Sequence, residues 1–180
     1  MPRAVSFVAN PKVHNRIWIA SPYRYMRQQI ILIRHGEEPE GSSPDLSARG
    51  RARAERLAKY LPKEFGTPGA LFAAAPSSSS VRCYLTLRPL ADECDLIIGT
   101  AHKAEEFLNL AAKIRLDPAL ENRLVVVAWT HSELPSLAAA LGVVRSDFPK
   151  VWNERVFDKT YLLRYKSDGQ PKVRCVRQPF

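Results

Sequence analysis

The chain has 180 residues, of which 46% are hydrophobic and 25% are charged. This composition is typical of a single globular domain and excludes a disordered chain. Charged residues interrupt every long apolar stretch, which excludes a membrane-spanning helix. The formal net charge of +9 raises nucleic acid or another anionic surface as a partner, so the position of that charge matters.

Most of the excess positive charge lies at the two ends. Residues 1–25 contribute +4 and residues 171–180 contribute +3, neither with any acidic residue, which leaves +2 for residues 26–170. We therefore predict a basic, poorly ordered N-terminal extension at 1–25, a folded domain at 26–170 and a basic C-terminal tail at 171–180. Neither nucleic acid nor a membrane is expected as a partner. The extension also suits an organellar transit peptide, and Met26 offers an alternative start.

Strands and helices are predicted to alternate along the chain. Short β-branched or apolar runs predict strands at 29–34, 70–74, 96–98, 124–129 and 157–165. Amphipathic segments predict helices at 47–61, 81–94, 104–114 and 135–141. The first helix is expected to end at Leu61 because Pro62 follows, and the third to turn Phe107, Leu108 and Ala111 inward. This alternation predicts an α/β layered domain with a largely parallel sheet.

Two histidines follow predicted strands, in the region where open α/β sheets bind their ligands. His35 comes directly after the first strand, between Arg34 and Gly36, and His131 follows the strand at 124–129. A single histidine at a strand end is typically structural. Two at the same edge of the sheet, one of them flanked by arginine and glycine, indicate a functional site.

These residue types suit phosphoryl transfer. A phosphate dianion is best held by planar, bidentate arginine donors, and a neutral imidazole is a competent nucleophile at pH 7 without a metal. Gly36 would let the backbone approach the phosphate closely. The sequence contains neither a Gly-rich Walker loop nor a cluster of metal-ligating Asp residues, so we predict no metal and no cofactor.

Five segments, in the same order, resemble motifs of the histidine phosphatase superfamily, whose fold is phosphoglycerate-mutase-like. They are 30–36 (Ile-Ile-Leu-Ile-Arg-His-Gly), 45–50, 80–82 with Thr86, 125–131, and Trp152 with 157–163. The resemblance covers about residues 27–165. It implies a three-layer α/β/α sandwich with a mostly parallel central sheet.

The resemblance also implies roles for individual residues. His35 would be the nucleophile that becomes phosphohistidine, and Arg34 and Arg82 would clamp the transferring phosphoryl group. His131 would donate a hydrogen bond to it as charge develops on its oxygens. Arg88 is a weaker substitute for Arg82.

The general acid stays open at this stage. Glu106 lies 24 residues beyond the second arginine, close to the spacing that the family often uses. Glu133, two residues after the second histidine, is the rival. Glu37 and Glu38 are closer to the nucleophile along the chain but are expected to be loop residues, and a site without a dedicated acid is the remaining alternative.

The function implied is that of a phosphatase, a metal-independent phosphomonoester hydrolase acting through phosphohistidine in the cytoplasm. Its substrate would be a phosphorylated small molecule or a phosphoprotein. The segment 130–135 lacks the Gly that many relatives have after the histidine, and it resembles a small, little-characterised branch. The alternative is a non-catalytic phosphate-binding or regulatory module on the same fold, motivated by this segment and by the ill-defined acid.

Overall fold

Six strands form one mixed sheet in the computed structural model, which describes residues 28–144, 146–165 and 169–180. The strands are β1 (Gln29–Arg34), β2 (Ala70–Ala73), β3 (Ile98–Gly99), β4 (Leu124–Trp129), β5 (Lys159–Tyr165) and β6 (Pro171–Arg177). The helices are α1 (Ala48–Phe65), α2 (Arg82–Cys94), α3 (Phe107–Leu116) and α4 (Leu134–Ala140), with 3₁₀ turns at Ala104–Glu106 and Pro118–Leu120. The predicted extension at 1–25 and the alternative start at Met26 lie outside the described residues.

The strand order is β3-β2-β4-β1-β5-β6. The first four strands in that order are parallel to one another, whereas β5 is antiparallel to both β1 and β6. Because two reversals restore the direction, only β5 runs against the rest of the sheet. The predicted mostly parallel sheet is therefore confirmed.

Helices cover both faces of this sheet. α1 packs against α2, and α3 packs against α4. Right-handed crossovers place the α1–α2 pair on one face and the α3–α4 pair on the other. Every residue of β4 is buried, as expected for a strand covered on both sides. The structure thus confirms the three-layer α/β/α sandwich.

Helix α1 is longer than predicted. Ser47 caps its start, with its Oγ accepting a hydrogen bond from the backbone N–H of Gly50 at 3.0 Å. The helix passes through Pro62 and ends at Phe65, so the predicted end at Leu61 is wrong. A proline removes one backbone hydrogen bond, and the packing of Phe65 against Tyr60 and the core outweighs that loss.

Helix α3 also differs from the prediction. The segment begins as a 3₁₀ turn and becomes α-helical at Phe107. Leu108 is 64% exposed, so its predicted inward position is wrong, whereas Leu110, Ala111 and Ile114 are buried. Among the described residues, no helix combines the length and apolar character needed to cross a bilayer.

The predicted basic tail at 171–180 is wrong, because residues 171–177 form the strand β6. Residues of β6 pair with β5 from Lys159↔Arg177 to Tyr165↔Pro171. The basic side chains of β6 are exposed along the edge of the sheet, where lysine and arginine are favoured because they discourage pairing with other chains. A high local charge therefore marks an edge strand in this chain.

Candidate active site

The site lies where the chain leaves two neighbouring parallel strands. Arg34 at the end of β1 is paired with Trp129 at the end of β4, and the N–H of His35 donates to the carbonyl of Trp129 at 3.2 Å. From there the chain enters α1 after β1 and α4 after β4, on opposite faces of the sheet. This divergence opens a crevice at the carboxyl ends of the strands, and the predicted residues His35 and His131 both lie there.

His35 is held in one tautomer. Its ring is 3% exposed, and Nδ1–H donates to the carbonyl of Gly36 at 2.9 Å. Because a carbonyl only accepts, the proton is on Nδ1 and the lone pair is on Nε2. Burial, together with the charges of Arg34 and Arg82, lowers the pKa of His35 to about 4, so the ring is neutral at pH 7. A neutral imidazole with a free Nε2 is a nucleophile.

This assignment predicts the titration of His35 in the folded protein. Ring ¹⁵N and ¹H chemical shifts should show a protonated Nδ1 at neutral pH and a midpoint near 4, against about 6.5 in the urea-unfolded chain. Between those two pH values the unfolded chain binds a proton that the folded protein does not, so stability falls as pH falls through that range. A folded-state midpoint at or above 6.5 would contradict the assignment.

Arg34 presents a buried guanidinium to the same space. It is 2% exposed and lies 3.8 Å from the centre of the Phe157 ring. Nη1–H donates to the carbonyl of Glu154, and Nη2–H donates to Oε1 of Glu38 at 3.0 Å. Nε has no partner. Burial lowers the pKa of Arg34, but an arginine starts so high that the group stays charged.

Arg82, the first residue of α2, provides the second cation. Its Nε–H donates to the carbonyl of Asp45 at 3.1 Å and its Nη2–H to that of Ser43, which fixes the guanidinium against the loop before α1. Nη1 lies 3.6 Å from Oε2 of Glu38. Arg88 is exposed on the same helix, and no hydrogen bond or ion pair in the described part of the chain connects it to the site.

Thr86 connects the loop after β1 to α2. Its hydroxyl donates to the carbonyl of Arg82 at 2.7 Å and accepts from the backbone N–H of Gly36 at 2.8 Å. Thr86 is fully buried. One side chain thus links the loop after β1 to the helix turn that carries the second arginine.

Gly36 has a packing role that the sequence interpretation did not include. A Cβ at Gly36 would lie 2.9 Å from the carbonyl oxygen of Gly50, in the first turn of α1. A Cβ at Gly50 would lie 2.4 Å from the carbonyl oxygen of Glu37. The two glycines let the first turn of α1 lie directly against the loop after β1.

His131 lies in the same cluster as His35. The residue is half-buried, and its Nδ1 is buried with no hydrogen-bond partner in the described part of the chain. Burial and the charge of Arg34 lower the pKa of His131, which keeps the ring neutral at pH 7. The unpartnered Nδ1 of His131 and the unpartnered Nε of Arg34 leave hydrogen-bonding capacity at the site for a polar ligand.

Glu38 is the site residue whose position the sequence did not predict. Its Oε1 lies 3.8 Å from Nε2 of His35, in addition to its contacts with the two arginines. Donor atoms of His35, Glu38 and His131 lie within 4.8 Å of one another. That spacing would admit a small cation, but two guanidinium groups contact the same carboxylate, and their charge favours an anion instead.

The Glu37 carboxylate binds arginines of α1 instead of Arg34 and Arg82, and so connects the loop after β1 to that helix. Its carboxylate receives two hydrogen bonds from Arg53, at 2.9 and 2.7 Å, and lies 3.0 Å from Arg49. Burial acts to raise the pKa of Glu37, but the two arginines outweigh it and the net shift is downward. Arg53 in turn donates to Oε1 of Gln178 at 2.7 Å, just beyond β6.

The two acids favoured by the sequence are Glu106 and Glu133. Oε2 of Glu106 accepts from the N–H of Lys103 at 2.7 Å and so stabilises the 3₁₀ turn. Glu133 precedes α4, and its carbonyl accepts from Leu137 at 2.8 Å. Within the described residues, no hydrogen bond or ion pair joins either carboxylate to the two histidines or to the two arginines.

Two cavities flank the cluster. One of about 630 Å³ is lined by His131, Ser132, Lys150, Val151, Trp152, Asn153 and Glu154. The second, of about 450 Å³, is lined partly by Arg49, Arg53, Arg155 and Arg177 together with the acids Glu37, Glu154 and Asp158. The first cavity gives His131 direct access to a ligand of the size of a metabolite or an extended peptide segment.

A profile of the histidine phosphatase superfamily (branch 1) matches residues 30–117, from the first strand through the third helix. This match confirms the predicted resemblance of the chain to the histidine phosphatase superfamily. The matched range includes His35 with the strand before it, and Arg82 at the start of α2. The comparison with curated protein sequences gives no match.

Solved structures of histidine phosphatase superfamily folds resemble the chain over most of its length. The protein histidine phosphatase SixA, bound to tungstate, is 13% identical with a TM-score of 0.61, covering 83% of this chain and 96% of its own. A mycobacterial glucosyl-3-phosphoglycerate phosphatase with inorganic phosphate is 15% identical, with a TM-score of 0.55 and coverages of 84% and 97%. Phosphoglycerate mutase from Plasmodium falciparum is 13% identical, with a TM-score of 0.55 and coverages of 82% and 88%. These likenesses establish the shared fold.

Proposed function

We propose that the chain is a metal-independent phosphomonoester hydrolase that acts through a phosphohistidine at His35. The observation that carries this proposal is the state of the His35 ring. Its Nδ1–H donates to Gly36, which leaves the Nε2 lone pair free, and the guanidiniums of Arg34 and Arg82 converge on the same space. A nucleophile between two fixed cations suits attack on a phosphoryl group.

In the first step, Nε2 of His35 attacks phosphorus as the bond to the leaving oxygen breaks. Arg34 and Arg82 hold the non-bridging oxygens, and their charge is most stabilising when negative charge is spread over those oxygens. His131 donates a hydrogen bond to one of them. The carbonyl of Gly36 stabilises the charge that His35 acquires, through Nδ1–H.

In the second step, water attacks phosphorus and the P–N bond breaks. His35 recovers its lone pair, inorganic phosphate leaves, and one water molecule is consumed per ester. The same arginines stabilise this second transition state because the phosphoryl group stays in place between the two steps.

The substrate proposed is a phosphorylated small molecule or a phosphoprotein. Similar structures carry names for both classes, a protein histidine phosphatase and a glucosyl-3-phosphoglycerate phosphatase. The 630 Å³ cavity beside His131 has room for a leaving group of metabolite size, and Lys150 at its wall would favour an anionic one.

The direct test is to trap the phosphoenzyme. Protein mixed with p-nitrophenyl phosphate in the presence of EDTA and quenched at alkaline pH should gain the mass of one phosphoryl group, mapping to His35. Turnover should continue without added metal. A phosphoryl group on another residue, or activity abolished by the chelator, would count against the proposal.

The second candidate is a non-catalytic phosphate-binding or regulatory module. The observation that favours it is the Glu38 carboxylate, which lies across both arginines and so competes with a phosphate. Saturable binding of phosphate or vanadate by the full chain, with no hydrolysis of a broad panel of phosphoesters, would select this candidate over the enzyme.

A further inference from the structure

We propose that Glu38 is the proton donor to the leaving group, displaced from the two arginines toward solvent when the phosphoryl group binds. This inference rests on the proposed phosphoryl transfer and assigns a residue to the step that the transfer leaves open. A leaving alkoxide needs a proton, and general acid catalysis typically contributes 10²- to 10⁴-fold.

The Glu38 carboxylate lies among the cationic and histidine groups of the site. Oε1 is 3.0 Å from Nη2 of Arg34 and 3.8 Å from Nε2 of His35, and Oε2 is 3.6 Å from Nη1 of Arg82. These are the groups that hold and attack a phosphoryl group. The carboxylate and a bound phosphoryl group therefore exclude each other, and Glu38 has to move when substrate binds.

The Glu38 carboxylate can move toward solvent. The His35 side chain is 4% exposed and that of Glu38 is 38% exposed, so the carboxylate lies on the solvent side of the nucleophile. In-line transfer places the leaving oxygen opposite Nε2, which is the same side. Only two residues separate Glu38 from His35, and that short connection keeps the displaced carboxylate beside the leaving oxygen.

Substrate binding changes the charge around Glu38. The described groups that face it are Arg34, His35 and Arg82, with His131 at the same cluster. In the free protein, the two guanidiniums contact the Glu38 carboxylate. When a phosphate dianion takes those guanidiniums, Glu38 exchanges two cations for a neighbouring anion, which favours its protonated form. Substrate binding thus produces the acid at the place where it is needed.

The steps balance. As Nε2 of His35 forms its bond to phosphorus, the P–O bond to the leaving group breaks, and the proton of the Glu38 carboxylic acid passes to the leaving oxygen to give the alcohol. The resulting Glu38 carboxylate then takes a proton from the water that attacks phosphohistidine. The P–N bond breaks, and inorganic phosphate and neutral His35 are regenerated.

The test compares two phosphomonoesters that differ in their need for a proton. p-Nitrophenyl phosphate releases a stabilised phenolate, whereas β-glycerophosphate releases a poor alkoxide leaving group. Glu38→Gln keeps the shape of the side chain and removes the proton. It should lower kcat/KM for β-glycerophosphate at least about 100-fold and for p-nitrophenyl phosphate less than about 10-fold. Glu40→Gln, an exposed change in the same loop, is the matched control and should alter neither value.

Each result has one meaning. An equal loss on both esters, or no loss on either, would overturn the role of Glu38, because a positioning or purely structural residue does not discriminate between leaving groups. The selective loss in Glu106→Gln or Glu133→Gln, with Glu38→Gln unaffected, would assign the acid elsewhere. If the unmodified protein hydrolyses neither ester, the proposed function itself fails, which is a different outcome from an unselective Glu38→Gln.

Discussion

The His35→Ala variant is expected to lose at least about 10⁴-fold in kcat for p-nitrophenyl phosphate and to form no phosphoenzyme. Without the imidazole, no phosphohistidine can form. The remaining residues then support only slow hydrolysis, close to the uncatalysed rate. Steady-state kinetics with the variant and the unchanged protein, followed by intact-mass measurement of quenched samples, give both quantities.

The matched control for this variant is His102→Ala. His102 is half-buried, and its carbonyl accepts from Ala75 at 2.8 Å, a contact that the substitution preserves. This control should keep kcat within about twofold. Binding of phosphate by His35→Ala should persist because both arginines remain. Full activity in His35→Ala would remove the nucleophile from the mechanism.

The Gly50→Ala variant is expected to be destabilised by about 3 kcal/mol and to lose most of its activity. The new methyl group would meet the carbonyl oxygen of Glu37 at 2.4 Å and its nitrogen at 2.8 Å. Both are backbone atoms, so no side-chain rotation relieves the overlap and the loop carrying His35 has to shift. Urea unfolding followed by circular dichroism measures the free energy of unfolding, and p-nitrophenyl phosphate turnover measures the effect on the site.

Ala48→Gly provides the comparison in the same helical turn. Ala48 is exposed, so its substitution changes backbone entropy without changing contacts and should cost less than about 1 kcal/mol. Activity should be unchanged. Equal stability of Gly50→Ala and Ala48→Gly would mean that the first turn of α1 can move away from the loop at no cost.

The sequence predicted the edge of the sheet at which the site lies because the strand pattern alone determines it. His35 and His131 each follow an apolar run, and parallel neighbours bring such positions together. Arg82 was found from its motif, and the structure places it near the site through the start of α2. The periodicity and order of the elements predict where the two histidines lie, whereas the prediction of Arg82 depends on the motif.

The position of Glu38 could not be predicted in the same way. Glu37 and Glu38 are consecutive and chemically alike, and both follow the strand in a loop. Which carboxylate faces the arginines of the site depends on the backbone angles of that loop and on Arg53, a distant residue that binds Glu37. Neither the backbone angles of the loop nor the contact with Arg53 can be predicted from the sequence pattern.

Charge misled the interpretation at one end of the chain and proline misled it in α1. The run of basic residues in 171–180 suggested a tail, although alternating exposure on an edge strand produces the same composition. Pro62 suggested a helix end, although packing of Phe65 sustains one more turn. In both cases tertiary contacts override a local preference that is correct on average.

The chain of contacts from Glu37 through Arg53 to Gln178 couples the reactive loop to the border of the sheet. Gln178 also donates from Nε2 to Oγ1 of Thr160 in β5, at 3.3 Å, so the link is anchored on a second strand. Transient opening of the edge hairpin removes a partner from Arg53, and the buried Glu37 carboxylate then loses part of the support for its counterion. Separation of β6 from β5 would therefore weaken the contacts that hold the loop after β1 in place.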